Sequence, residues 1–183
     1  MASQDEEFTM LFQEFYPSLC RFLECLLGGR VELAQDLAQE SFLQLHRTAW
    51  ETLPQGEARF WLYRVARNMA INEFRKSNTR YRLFDRVAEA MRPRTRNPEQ
   101  EYETQEQQTL VLEMLQTLPE DQRTALLLRE QEQLSYREIG EVLNISESKV
   151  KVDIFRARAS LRERWNRMSG VPRTNAVSQG NPV

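Results

Sequence analysis

Apolar positions along the chain recur at steps of three and four, with few glycines or prolines between them, and that rhythm predicts an all-α protein. Phe8, Leu11, Phe12, Phe15, Leu19, Phe22, Leu23 and Leu26 form one broad helical stripe, closed by Gly28-Gly29. A second helix is expected over about 31–49, burying Ala34, Leu37, Ala38, Ser41, Phe42 and Leu45. Pro54 and Gly56 mark a loop, and a third helix follows over about 58–79, with Leu62, Val65, Ala66 and Met69 on its core face. From 83 to about 105 the periodicity fades around Pro93 and Pro98, which reads as a flexible linker. Leu110, Leu112, Met114 and Leu115 then predict a helix over about 106–118. Pro119 suits the first turn of another, ending near 131.

The stretch 118–165 has the grammar of a helix-turn-helix. Ser135 stands at an N-cap position with Glu138 three residues on, a capping box. Ile139, Val142 and Leu143 share a face, and Asn144 can close the helix in a left-handed conformation. Ser146 caps a second helix whose inner stripe is Val150, Ile154, Ala157 and Leu161. Lys149, Lys151, Arg156, Arg158 and Arg162 lie away from that stripe. A helix of this kind fits the DNA major groove. Asp153 counts against that reading, because a carboxylate among these cations repels phosphate.

Charge changes the picture by where it sits. The net charge is only −2, yet 59–96 is strongly basic, opposed by Glu73, Asp85 and Glu89 alone. Segment 97–122 has no Lys or Arg, and 149–167 is basic again. Two basic faces separated by an acidic stretch are the footprint of two DNA contacts. Phe60, Trp61 and Tyr63 interleave with Arg59 and Arg64 at the start of the third helix, a pattern suited to stacking on unpaired bases while guanidiniums hold phosphate. On the second helix, Gln35, Asp36, Gln39, Glu40 and Gln44 form a polar, mildly acidic side, either an ordinary solvated face or a docking surface.

Other chemistry is sparse. Cys20, Cys25 and His46 lack metal-ligand spacing, so no metal or other cofactor is expected. No phosphate-binding glycine loop or nucleophile elbow occurs, which argues against an enzyme. No apolar run reaches membrane-spanning length, and the acidic start MASQDEEF lacks the order of a signal peptide, so a cytoplasmic protein is expected. The tail from 168 is polar and aperiodic, and a mobile segment is expected there.

Taken together, the chain resembles an extracytoplasmic-function (group 4) sigma factor of bacterial RNA polymerase. The stretches that carry the likeness are VELAQDLAQESFLQLHR, FWLYRVARNMAINEFRK, LPEDQRTALLLRE with LSYREIGEVLNIS, and KVKVDIFRARASLRE. The resemblance implies a σ2-like domain over 1–82, a linker over 83–105, a σ4-like domain over 106–167 and a tail over 168–183. It implies that Asp36, Gln39 and Glu40 dock on the β′ clamp helices of core polymerase. Trp61, Arg64 and Asn68, followed by Arg75 and Lys76, would hold the −10 strand. Arg129, Lys149, Lys151, Phe155, Arg156 and Arg158 would meet the −35 duplex. A β flap contact, an anti-sigma partner and a monomer within the holoenzyme are likewise implied.

The likeness has departures. Val152 and Asp153 stand where the family often has small or basic residues, so an unusual −35 sequence is expected. The loop over 51–56 lacks the aromatic-Arg-Gly pattern that some members use to capture a flipped base. The shorter helix that precedes the first one in many members is also expected to be missing. A linker of roughly 20 residues reaches ~70 Å at most, about two turns of duplex, so one monomer can touch two promoter elements. The rival reading is a dimeric helix-turn-helix regulator that acts without polymerase. A small helical enzyme is a remote third.

Overall fold

The structure, a computed structural model, describes residues 4–48, 50, 52–54, 56–84 and 100–169. Seven helices run through them: α1 (Gln4–Leu26), α2 (Val31–Thr48), α3 (Ala58–Phe84), α4 (Gln100–Gln116), α5 (Glu120–Glu130), α6 (Tyr136–Leu143) and α7 (Glu147–Met168). No strand occurs among the described residues.

Helices α1–α3 form the first unit. Leu19, Phe22, Leu23 and Leu26 of α1 meet Ala34, Ala38, Phe42 and Leu45 of α2, with Leu62, Ala66 and Ala70 of α3 closing the bundle. Phe12 and Phe42 pack edge to face at 4.9 Å, and Phe22 meets Tyr63 the same way at 5.3 Å. Each pair adds to simple burial through ring quadrupoles.

The second unit is α4–α7. Leu126, Leu127 and Leu128 of α5 pack with Ile139 and Val142 of α6 and with Val150, Ile154 and Ala157 of α7. The capping box forms: Ser135 Oγ accepts from the Glu138 amide and Glu138 Oε2 accepts from the Ser135 amide. Asn144 takes the left-handed conformation, φ 55° and ψ 47°. Ser146 Oγ accepts from the Lys149 amide to start α7. A Cβ on Gly140 would lie 2.8 Å from the Ile145 carbonyl oxygen, so only glycine lets the turn fold this tightly against α6.

Two helices are longer than their apolar periodicity predicts. α3 continues to Phe84 and α4 already begins at Gln100, inside the expected linker. The stretch QEYETQ has few apolar residues to mark a period, but Gln and Glu are good helix formers. The rest of the expected linker, 85–99, and the tail from 170 lie outside the described residues.

The units also touch each other, which periodicity did not predict. α1 packs on α4 and α5, and α3 packs on α6, so the buried residues of both units form one continuous cluster.

Candidate nucleic-acid interface

On α3, the inner positions Leu62, Tyr63, Ala66 and Ala70 are buried, so the polar positions between them face outward. Arg64, Asn68, Arg75 and Lys76 are all exposed. Lys76 pairs with Glu73 at 2.8 Å, and Asn68 Oδ1 accepts from Arg67 at 3.3 Å. Trp61 is half-buried against the core and lines a shallow groove with Leu53, Phe60, Arg64 and Glu141. Tyr63 corrects the reading of the aromatic cluster: it is only 1% exposed and has no face free for a base. Its place three residues before Ala66 and seven before Ala70, on the core-facing line, was the signal against it.

On α7, the outward line runs through Val152, Phe155 and Arg156. Phe155 is 74% exposed and Val152 43%, both unusual for apolar side chains. Arg156 is exposed with no ion pair among the described residues. Lys151 is exposed on the flank, pairs with Glu147 at 2.7 Å and lies 5.7 Å from the Tyr136 ring. Arg158 bonds Glu130 at 2.5 Å, and that bond holds its pKa above the ordinary arginine value.

Three residues are more structural than the sequence suggests. Asp153 is 5% exposed and binds Lys149 at 2.5 Å, so its charge does not stand on the outer face. Spacing of three from Val150 puts it on the inner stripe, and Lys149 neutralises it there. Arg129 is half-buried; its Nη1 donates to the Leu134 carbonyl at 2.7 Å while the guanidinium lies 5.2 Å from the Tyr136 ring.

On α2, Asp36 and Gln39 are exposed and Glu40 is half-buried. Gln39 lies 3.4 Å from the Tyr16 hydroxyl, and Glu40 accepts from Gln44 at 3.5 Å. Their spacing of three and four puts these residues on one side of α2.

Where the units meet, the sequence had singled out no site. Tyr63 donates its hydroxyl to Glu132 Oε2, Ser18 lies 3.1 Å from the same hydroxyl, and Arg59 Nη2 donates to the Glu132 carbonyl at 2.6 Å. Burial first, then the carboxylate, pushes the Tyr63 phenol well above its ordinary pKa. Arg67 bonds Glu120 at 3.2 Å and Asp121 at 2.7 Å. Arg64 Nη2 donates to the Glu141 carbonyl at 2.6 Å, near the C-terminal end of α6. Arg123, 8% exposed, donates to the Leu26 carbonyl at 3.0 Å and to Gln116, whose own amide reaches the Cys25 carbonyl at 3.1 Å. The second unit thereby caps the C-terminal carbonyls of α1, which a lone α1 would leave to water. Such long-range pairs leave no trace in local spacing.

Two family models match the chain in order: Sigma-70 region 2 over residues 11–80 and Sigma-70 region 4 over residues 108–161. The ECF RNA polymerase sigma factor SigM of Bacillus subtilis is 30% identical over 160 residues, covering 86% of this chain and 94% of that protein. The RNA polymerase sigma-H factor of Pseudomonas aeruginosa is 37% identical over 139 residues, 70% of each chain. Among solved structures, the sigma factor RpoE with the anti-sigma factor NepR from Bartonella quintana matches with a TM-score of 0.68 at 20% identity, over 91% of this chain and 99% of that one. CnrH in complex with the cytosolic domain of CnrY matches at 0.62 and 20% identity, over 87% and 88%. These two likenesses concern the fold.

Proposed function

The chain belongs to the sigma-70 family, in its extracytoplasmic-function branch, and from that premise we propose how its faces divide the work of promoter recognition. As a sigma factor it binds core RNA polymerase and directs initiation at particular promoters by recognising −10 and −35 elements. In our reading, residues 1–82 hold the −10 strand through Arg64, Asn68, Arg75 and Lys76, with the edge of Trp61 beside them. Residues 106–167 read the −35 duplex through α7. Phe155 and Val152 offer apolar surface to thymine methyls, while Arg156 can take guanine or a phosphate bidentately. Lys149, Lys151 and Arg158, with Arg129 behind them, supply positive charge along the groove.

Asp36, Gln39 and Glu40 dock on the β′ clamp helices, and the second unit meets the β flap. The polymerase supplies the chemistry, and the chain acts as a cytoplasmic specificity subunit, one copy per holoenzyme. An anti-sigma factor is its further partner, as NepR is for RpoE in their solved complex.

The observation that carries this reading is the exposure of Arg64, Asn68, Lys151 and Arg156 together, on two units that match regions 2 and 4 in order. A dimeric helix-turn-helix regulator is disfavoured, because it gives no account of the region 2 match. The test is run-off transcription by core polymerase with and without the chain. A promoter-dependent product that needs the chain supports the reading, and failure of the chain to bind core polymerase refutes it.

A further inference from the structure

The second unit carries an apolar groove that the proposed DNA contacts leave aside. Val111, Met114 and Leu115 of α4 line it with Leu161, Arg162 and Trp165 of α7, around a space of about 320 Å³. Met114 and Leu115 are buried, whereas Val111 is 53% and Trp165 51% exposed. Met168, three residues after Trp165, is as exposed as that ring. The side chains of α7 proposed to meet the −35 duplex lie between Lys149 and Arg158, and the groove starts only at Leu161. Large apolar side chains gathered on one exposed face mark a surface that something covers.

The sequence that follows the groove is written to turn back into it. Ser169 closes α7, its amide donating to the Trp165 carbonyl at 2.9 Å. The next residues are Gly170, Val171 and Pro172. A glycine directly after a helix cap suits the left-handed turn that reverses the chain. The residue after that glycine then packs on the third or fourth residue before the cap. Counted from Ser169, that pairs Val171 with Asn166 or Trp165, and Trp165 is the apolar one. Pro172 bars any continuation of the helix. Reach is ample. From Ser169 back to Leu161 is about 12 Å along α7, and the eight residues from Ser169 to Val177 span up to about 26 Å. Charge agrees as well. Arg173 is the one charged side chain in 170–183, while α4 contains Glu101, Glu103, Glu106 and Glu113 and neither Lys nor Arg.

We propose that residues 170–177 of the same chain fill this groove: Val171 packs on Trp165, Ala176 and Val177 reach Leu161 and Val111, and Arg173 lies along acidic α4. The docked tail covers the apolar face and braces α4 against α7. Any protein that uses this face must first displace it. The proposal needs neither DNA nor polymerase, so its outcome and that of the sigma reading are separate.

Nuclear magnetic resonance on the full chain tests it. Cross-peaks between nearby protons should join the Val171 methyls to the Trp165 indole ring, and the Val177 methyls to those of Val111. Their absence, in a spectrum where core residues such as Ile154 and Ala157 show theirs, would overturn the proposal. Val171→Asp alters no residue of the buried cluster, so the fold should persist. It should erase these cross-peaks and shift the Trp165 indole N–H signal, leaving those of Trp50 and Trp61 in place. Cross-peaks that survive the substitution, or a Trp165 signal that does not move, would overturn it. In a mixture of isotope-labelled and unlabelled chains, the cross-peaks should arise within one chain. Cross-peaks between chains would give the groove to a second copy instead. A groove that is empty in the free chain and fills only when core polymerase is added would give it to a protein partner, and either result overturns the proposal.

Discussion

Tyr63 of α3 donates its hydroxyl to Glu132 of the α5–α6 loop, joining residues that are 69 apart in the chain and both at most 9% exposed. Tyr63→Phe leaves a buried carboxylate short of a donor, which costs about 1–3 kcal/mol. Urea denaturation followed by circular dichroism should show that loss, and an unchanged midpoint would mean the bond contributes nothing. The phenol also sets a pH dependence. Its folded pKa is raised above the ordinary 10.0 by burial and by Glu132, while Ser18 and Arg59 favour the charged form. A raised folded value means that stability is intact below about pH 10 and falls as pH rises beyond it. The wild type should lose stability between pH 10 and 11 more steeply than Tyr63→Phe, and parallel curves would contradict the assignment.

The capping box sets the geometry of the helix-turn-helix. Ser135→Ala removes the oxygen that the Glu138 amide donates to, at a cost of about 0.5–2 kcal/mol. The same pair of bonds from Ser135 holds the Glu138 carboxyl below its ordinary value. Because that folded value is depressed, the contribution is present above the ordinary carboxylate range and fades as pH falls through it. Thermal unfolding at neutral pH should show the loss in Ser135→Ala, with a smaller gap between variant and wild type in acid. A gap that widens in acid would contradict this.

These caps, the glycine-closed α1 and the buried stripes of α2 and α7 were legible in the sequence, because each is written in residues three or four apart. Asp153 was misread as an outer charge although its spacing from Val150 already turned it inward; its ion-pair partner Lys149 had been counted as a free cation. The start of α4 was hidden, since a Gln/Glu-rich segment has helix propensity without an apolar period. The pairs Arg67–Asp121, Arg64–Glu141 and Arg123–Leu26 could not be read at all, because they depend on which helix faces meet. The same holds for Tyr63: its membership of an aromatic cluster was visible, while its partner was not.

Phe155 and Val152 should read methyl groups. Replacing thymine by uracil in the −35 element removes one methyl, and burial of a methylene-sized group is worth roughly fourfold in affinity. In holoenzyme binding, at least one −35 thymine should show a loss of roughly two- to fourfold on that exchange, and Phe155→Ala should abolish its sensitivity. If no thymine responds, the exposed ring of Phe155 serves another surface, such as a protein partner.

Asp36→Ala combined with Gln39→Ala changes two exposed side chains of α2, so thermal unfolding should shift little. Competition with a reference sigma factor for core polymerase should weaken by roughly tenfold or more, as when a few interface residues carry most of the binding energy. Unaltered competition would move the docking surface elsewhere on the bundle.

The most direct measurement is to map transcript starts made by core polymerase reconstituted with this chain on a library of random promoter DNA. The account predicts starts that depend on the chain and lie downstream of two motifs at one fixed spacing, with Arg156→Ala relaxing the upstream motif alone. Starts that are indifferent to the chain, or that share a single palindromic motif, would contradict it.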